Sequence, residues 1–187
     1  MMINGLTYIP DFIDEEHAHD LLYIIDLKEW SNDLKRRTQH YGYKYDYTKK
    51  TVDTSMYLGK LPWWTTPITT QLVETGIFKS KPDQLIINEY NPGQGISRHT
   101  DCVPCFGPVI ASLSLNSSCM MEFEKFSSTK KGSMMLAPRS LLVLSDEARY
   151  DWMHSIPACK EDLFNGEHLP RDRRVSLTFR TVIMENK

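Results

Sequence analysis

The chain contains no long apolar run. No uncharged stretch approaches the roughly 20 residues that a membrane-spanning helix needs, so no membrane partner is expected. No basic N-terminal region is followed by a long apolar segment, which argues against a signal peptide. Cysteine is sparse, with four in 187 residues. That is too few for a dense disulfide framework, and a reduced cytoplasmic setting (or a nuclear one, in a eukaryote) is the simpler expectation. Neither sign of charge dominates. The net charge of −2 means that any basic surface must be local. Internal repeats and low-complexity segments are absent too. What is present suits one compact monomeric domain over residues 1–187, with enough apolar material for a sizeable core.

The order of elements suggests a fold. Leu6 to Phe12 reads as a short strand. Asp14 resembles an N-cap, with Glu15 and Glu16 in the first turn and Leu21, Ile24 and Ile25 on one helical face. Thr66-Pro67 resembles a second helix start, with Ile68, Leu72 and Val73 buried. Leu85 onward is mostly strands: Val109–Leu115, Cys119–Lys125, Ser133–Leu136, Ser140–Leu144, Tyr150–Ile156 and Arg174–Ile183. Ser127–Gly132 reads as a turn and Lys160–Arg173 as a polar loop. Two helices followed by many short strands imply a mainly β fold with flanking helices, a sandwich or jelly roll.

Residues 32–60 differ in character. Lys35, Arg36, Arg37, Lys44, Lys49 and Lys50 outnumber the acidic residues there, and Tyr41, Tyr43, Tyr45 and Tyr47 alternate. Period two suggests a strand or hairpin with one tyrosine face. Cations beside aromatic rings suit nucleic acid. The plainer reading is a half-buried strand with a solvated charged face.

The chemistry centres on Leu85–Asp101, an apolar strand, a Pro92-Gly93 turn and a return ending in His99-x-Asp101. Alternation sends Asn88 and Tyr90 to one side, and His99 and Asp101 share a side where extended. An imidazole and a carboxylate aimed at one point are two thirds of the facial triad that holds non-haem Fe(II). His154 is the best third ligand, since His17 lies in a helix, His40 in the basic segment and His168 in a polar loop. In the last strand, Arg174, Ser176, Thr178 and Arg180 share one face, with Val175, Leu177 and Phe179 on the other. If the polar face looks inward, each arginine needs an anionic partner, and a small dicarboxylate would supply one at each end. The plainer reading is an edge strand with solvated arginines.

The ordered set Asn88-x-Tyr90, Pro92-Gly93, His99-x-Asp101, His154 and Arg174-x-Ser176-x-x-x-Arg180 resembles the AlkB family of Fe(II)/2-oxoglutarate dioxygenases. More weakly, Arg36–Tyr47 resembles that family's nucleotide-recognition lid, here at about 32–60. The resemblance implies a double-stranded β-helix, with Fe(II) on His99, Asp101 and His154. It also implies 2-oxoglutarate held by Asn88, Tyr90, Arg174, Ser176 and Arg180, and O₂ as the oxidant. The expected reaction is demethylation or hydroxylation of a group in nucleic acid, RNA favoured over DNA, with Arg36, Arg37, Tyr43, Tyr45 and Val103 as substrate candidates. Alternatives are the same chemistry on a protein or small molecule, and a catalytically silent binding module.

Two departures from the family pattern are informative. Ser176 stands where family members often carry Asn. Val103 stands where repair members typically carry an acidic residue, the group that would read the exocyclic amine of an alkylated adenine or cytosine. Other segments, including Gln94-Gly95-Ile96 and Ala148-Arg149-Tyr150, resemble the branch containing the tRNA wobble-uridine hydroxylase domain. Cys102-x-x-Cys105 fits a structural or pocket-lining role, with metal or redox chemistry as the alternative.

Overall fold

The computed structural model describes residues 2–126 and 128–184. Ser127, in the expected Ser127–Gly132 turn, lies outside them. Two antiparallel sheets face each other as a jelly roll. The larger runs β1 (Leu6–Ile9), β8 (Leu141–Leu144), β5 (Phe106–Leu115), β12 (Arg174–Val182), β3 (Gln84–Tyr90) and β2 (Thr38–Tyr41) in spatial order. The smaller runs β4 (Ile96–His99), β9 (Trp152–Ile156), β6 (Cys119–Lys125) and β7 (Lys131–Leu136).

Period two explains why the larger sheet has helices on one side and a cavity on the other. Val175, Leu177 and Phe179 of β12, Leu85 and Ile87 of β3, and Leu141 and Val143 of β8 pack under α1 (Glu15–Asp26) and α2 (Thr66–Glu74). Their neighbours Arg174, Ser176, Arg180, Ile86, Asn88 and Leu142 point to the opposite face and line the cavity. β12 lies between β5 and β3, so the solvated-edge reading of its arginines does not hold.

The first helix begins as its sequence indicates, with Asp14 accepting the His17 N–H at 2.8 Å. The second starts one residue earlier than expected. A 3₁₀ turn over Trp63–Thr65 runs directly into it, so Thr66 is already helical and Thr65 occupies the cap position. The Thr65 hydroxyl donates back to the Pro62 carbonyl at 2.7 Å rather than capping forward.

Three further expectations change. The tyrosine alternation does not make one face, because β2 ends at Tyr41 and Gly42 turns the chain at φ +76°. A Cβ on Gly42 would fall 1.8 Å from the Asp83 carbonyl oxygen, so the backbones approach too closely for any other residue. Tyr41 then stacks edge-on to Trp64, Tyr43 packs on Tyr57, and Tyr45 and Tyr47 pack on each other. The strand expected over Tyr150–Ile156 is present as β9 but begins two residues later, because Tyr150 ends a short helix, α3 (Asp146–Tyr150); Ser145 followed by Asp146 and Glu147 carries the helix-start signal. Finally, the polar run after Lys160 contains a hairpin, β10 (Glu161–Phe164) and β11 (Glu167–Pro170). Its turn is Asn165-Gly166, both at positive φ, which is a strong hairpin signal in sequence. Arg171 pins this hairpin by gripping both oxygens of buried Asp162 at 2.7 and 2.6 Å.

Candidate active site

A cavity of about 710 Å³ opens between the two sheets. The β4–β9 ladder sets one wall. Its register places His99 directly opposite His154, with ring centroids 4.4 Å apart. His99 Nδ1 lies 2.8 Å from the Ser97 carbonyl, which can only accept, so the ring carries its proton on Nδ1 and leaves Nε2 available. His154 presents Nε2 to Asp101 Oδ2 at 3.9 Å. Burial first, and the neighbouring His99 ring second, push the His154 pKa down to about 4, so it is neutral and a competent donor at physiological pH.

Asp101 is buried, and burial alone would raise its pKa. The Arg180 guanidinium, with smaller contributions from His154, His99 and Arg149, outweighs that and holds the carboxyl well below the usual range. Arg180 donates to Asp101 Oδ1 through Nε at 3.1 Å and Nη2 at 2.6 Å, and to Gln84 Oε1 through Nη1 at 3.1 Å. No three His, Cys, Asp or Glu side chains among the described residues close on one point as they stand. The donor chemistry still fits non-haem iron. Two imidazoles and one carboxylate line one wall of a cavity large enough for further ligands.

Arg174 is at the far end of the same strand face. Its Nη2 donates to Ser114 Oγ at 2.7 Å, while its Nε is buried with no hydrogen-bond partner among the described residues. A buried orphan N–H on a cation is costly, and it marks where an anion would be stabilised. The Arg174 guanidinium lies 5.5 Å from the Tyr90 ring centroid. Asn88, Tyr90, Arg174, Ser176 and Arg180 all line the one cavity, as the alternation predicts.

Residues 32–60 roof the cavity. Leu34, Arg36, Tyr45, Tyr47 and Lys50 reach into it, and Val103 forms part of its rim at 45% exposure. Two substrate candidates are elsewhere. Tyr43 is against Tyr57, and Arg37 is on the opposite side of β3, bound to Glu89.

His40 supports this roof. The Tyr45 N–H donates to its Nδ1 at 3.4 Å, and the Tyr47 hydroxyl is 3.5 Å from Nε2. Burial, then Lys44 and Arg180, lower its pKa from 6.5 to about 4. Unfolded chain therefore binds a proton that the folded chain refuses between those values. The stabilisation is complete above pH 6.5 and is lost as pH falls towards 4. In metal-free protein, His40→Gln should flatten the dependence of unfolding midpoint on pH within that window. An unchanged profile would show that the ring is not held neutral.

Sequence reasoning passed over one organiser of the site. Arg149 is fully buried on α3 and donates to the carbonyls of Asp101, Cys102, Phe106 and Gly107 at 2.9–3.3 Å. It shapes the loop that carries Asp101. The helix-start signal beside it was the available clue. Cys102 and Cys105 also lie in this loop, and their Cα atoms are 5.2 Å apart and bridged by a disulfide. This local bridge departs from the fully reduced state suggested by composition, because the turn brings the two sulfurs within bonding reach. Cys119 and Cys159 remain free.

The family model described as the 2OG-Fe(II) oxygenase superfamily matches residues 5–180. "Uncharacterized protein L905" of Acanthamoeba polyphaga mimivirus is 38% identical, over 98% of this chain and 87% of its own length. The "Alkylated DNA repair protein ALKBH8 homolog" of Arabidopsis thaliana is 39% identical over 96% of this chain, but this chain spans only 59% of it. For the Xenopus tropicalis "tRNA (carboxymethyluridine(34)-5-O)-methyltransferase alkbh8" the identity is 36%, over 95% of this chain and 32% of the relative. Among solved structures, OsALKBH1 superposes with a TM-score of 0.72 at 14% identity, over 97% of this chain and 98% of that one, a likeness of fold.

Proposed function

The chain belongs to the 2OG-Fe(II) oxygenase superfamily, AlkB-like in kind, and from that premise we propose that it oxidises a base substituent in nucleic acid, RNA over DNA. The carrying observation is the shared cavity. The His99–His154 pair and Asp101 form one wall, the β12 arginines another, and a basic, tyrosine-bearing segment the roof. His99, Asp101 and His154 would hold Fe(II). Bound with 2-oxoglutarate and O₂, the iron supplies an oxidant that removes hydrogen from a nearby C–H bond while 2-oxoglutarate becomes succinate and CO₂.

The chain's own groups do the positioning. Arg180, beside Asp101, suits the co-substrate carboxylate nearest the metal, and Arg174, with its buried unpartnered Nε, suits the distal one. Asn88, Tyr90 and Ser176 add polar contacts on the same face. Residues 32–60 act as a lid on a single domain, with Tyr45 and Tyr47 available to stack on a base drawn out of its stack. Two features favour RNA: a relative is named as a tRNA methyltransferase, and the rim carries Val103 rather than an acidic reader of alkylated adenine or cytosine.

Mass spectrometry of nucleosides from RNA and DNA incubated with protein, Fe(II) and 2-oxoglutarate tests this. Oxidation of a uridine substituent coupled to succinate is the expected result. Hydroxylation of a protein, with nucleic acid untouched, would overturn the substrate assignment. Background turnover in wild type equal to that of His154→Ala would indicate a silent binding module. The lid makes a separate prediction. Lys35→Ala with Lys50→Ala should weaken single-stranded RNA binding and reduce its salt slope by roughly 0.7 per lost phosphate contact. An unchanged slope would place the strand elsewhere.

A further inference from the structure

Arg36 and Arg37 are adjacent, and sequence alone groups them as one basic patch. In an extended chain, consecutive side chains point to opposite faces. The β2–β3 pairing of Thr38 with Asn88 continues upstream, where the Glu89 N–H donates to the Arg37 carbonyl at 3.0 Å. The two arginines therefore straddle β3.

The face carrying Arg37 is fully compensated. Its Nε and Nη2 grip both oxygens of Glu89 at 2.6 and 2.7 Å. Arg173 Nε adds a third bond to Glu89 at 2.6 Å, and Arg173 Nη1 donates to Asp26, the last residue of α1, at 2.9 Å. Two guanidiniums meet two carboxylates, and the Glu89 side chain is only 2% exposed. Arg37 also lies over the Trp30 ring at 4.9 Å. This chain of charge ties the start of the lid to a central strand and to a helix.

The opposite face is the reverse. Arg36 Nε donates to Asn88 Oδ1 at 2.9 Å, and its guanidinium lies 5.9 Å from the Tyr90 ring centroid. Arg174 shares that ring at 5.5 Å and carries the orphaned Nε. Two guanidiniums thus meet at one tyrosine. Neither is in an ion pair among the described residues, whose arginine salt bridges involve Arg37, Arg98, Arg139, Arg171, Arg173 and Arg180. Both line the cavity, where two guanidiniums without a carboxylate partner favour an anionic ligand.

We infer that Arg36, on the lid, is a binding residue for a 2-oxoglutarate carboxylate, and that the Arg37–Glu89–Arg173–Asp26 chain is the latch that aims it. The inference rests on the co-substrate reading above. Arg37 is a positioning residue, acting through Arg36. Co-substrate binding and lid order are then coupled, each favouring the other.

Titration calorimetry of 2-oxoglutarate into Mn(II)-loaded protein tests this without turnover, and trypsin cleavage at lid residues Lys44, Lys49 and Lys50 reports lid order. Arg36→Ala should weaken binding about 10-fold or more. Arg37→Ala should weaken it about 3- to 10-fold and leave the lid cleavable even with co-substrate bound. Arg37→Lys should not rescue, because an ammonium cannot grip both Glu89 oxygens. The double variant should bind no worse than Arg36→Ala alone. Binding by Arg36→Ala within twofold of wild type would overturn the role of Arg36. Additive losses in the double variant would overturn the latch. Wild type that binds no 2-oxoglutarate would overturn the co-substrate reading itself, and this inference with it. If Arg37→Ala does not fold, the Arg36→Ala titration still decides the first half, and trypsin protection of wild type by 2-oxoglutarate decides the coupling.

Discussion

Asp101→Ala should abolish 2-oxoglutarate turnover and destabilise the fold by about 3–5 kcal/mol, the usual cost of leaving one partner of a buried ion pair uncompensated. Arg180 is 7% exposed, and Asp101 is its only carboxylate partner among the described residues. Without it the guanidinium keeps one hydrogen bond, to the Gln84 side chain at 3.1 Å, and its place over the Phe106 ring, neither of which compensates its charge as a carboxylate does. For a chain of this size, the loss corresponds to a fall in Tm of roughly 10 °C. Metal ligation and charge compensation are separable. Asp101→Ala combined with Arg180→Met should recover much of the stability, because the buried charge leaves with its partner, and none of the activity. Chemical denaturation of the wild type, the single variant and the double variant measures this. Wild-type stability in Asp101→Ala would mean that Arg180 finds another partner. Activity in the double variant would show that Asp101 is not a ligand.

The sequence made the polar face of β12 readable, because strict alternation over Arg174–Arg180 separates apolar from polar residues without tertiary information. The same rule failed at Tyr41–Tyr47. Alternation there is real, but Gly42 turns the chain, and only the proximity of the Asp83 carbonyl explains why. Arg36 and Arg37 show a subtler limit. Composition treats neighbouring charges as a patch, whereas a strand sends them to opposite faces. One is paired to buried Glu89 in a structural network and the other opens into the cavity.

The candidate triad was only half legible. His99-x-Asp101 is a local pattern. The match to His154 is a cross-strand register 55 positions away, set by how β4 meets β9, and no local signal specifies it. Arg149 illustrates the same limit, since its partners are four backbone carbonyls, which leave no trace in residue identity. By contrast, the β10–β11 hairpin was available from Asn165-Gly166 and was missed because the surrounding residues are polar.

That register yields the second large effect. Gly95 precedes β4 and has no positive φ, so alanine would face no conformational penalty there. The obstacle is steric: a Cβ would fall 2.2 Å from the Ile156 carbonyl oxygen and within 3.0 Å of the Pro157 carbonyl carbon and the Ala158 nitrogen. All three are backbone atoms at the end of β9, so relief requires the strands to separate. The Ile96–Ile156 pair would open first, and His99 would shift against His154 three residues on. Gly95→Ala should therefore weaken metal binding about 10- to 100-fold, as loss of a supporting contact around ligands does. Overpacking should cost only about 1–3 kcal/mol of stability. Gly93→Ala is the matched control. It has φ +87° and only the Lys160 side chain nearby, at 3.8 Å, so it strains the turn without pushing on β9. Co(II) titration followed by absorption compares the two. Wild-type affinity and an unchanged ligand-field spectrum in Gly95→Ala would mean that the β4–β9 contact does not set the ligand geometry. Loss of affinity in both variants alike would move the determinant from that contact to the turn.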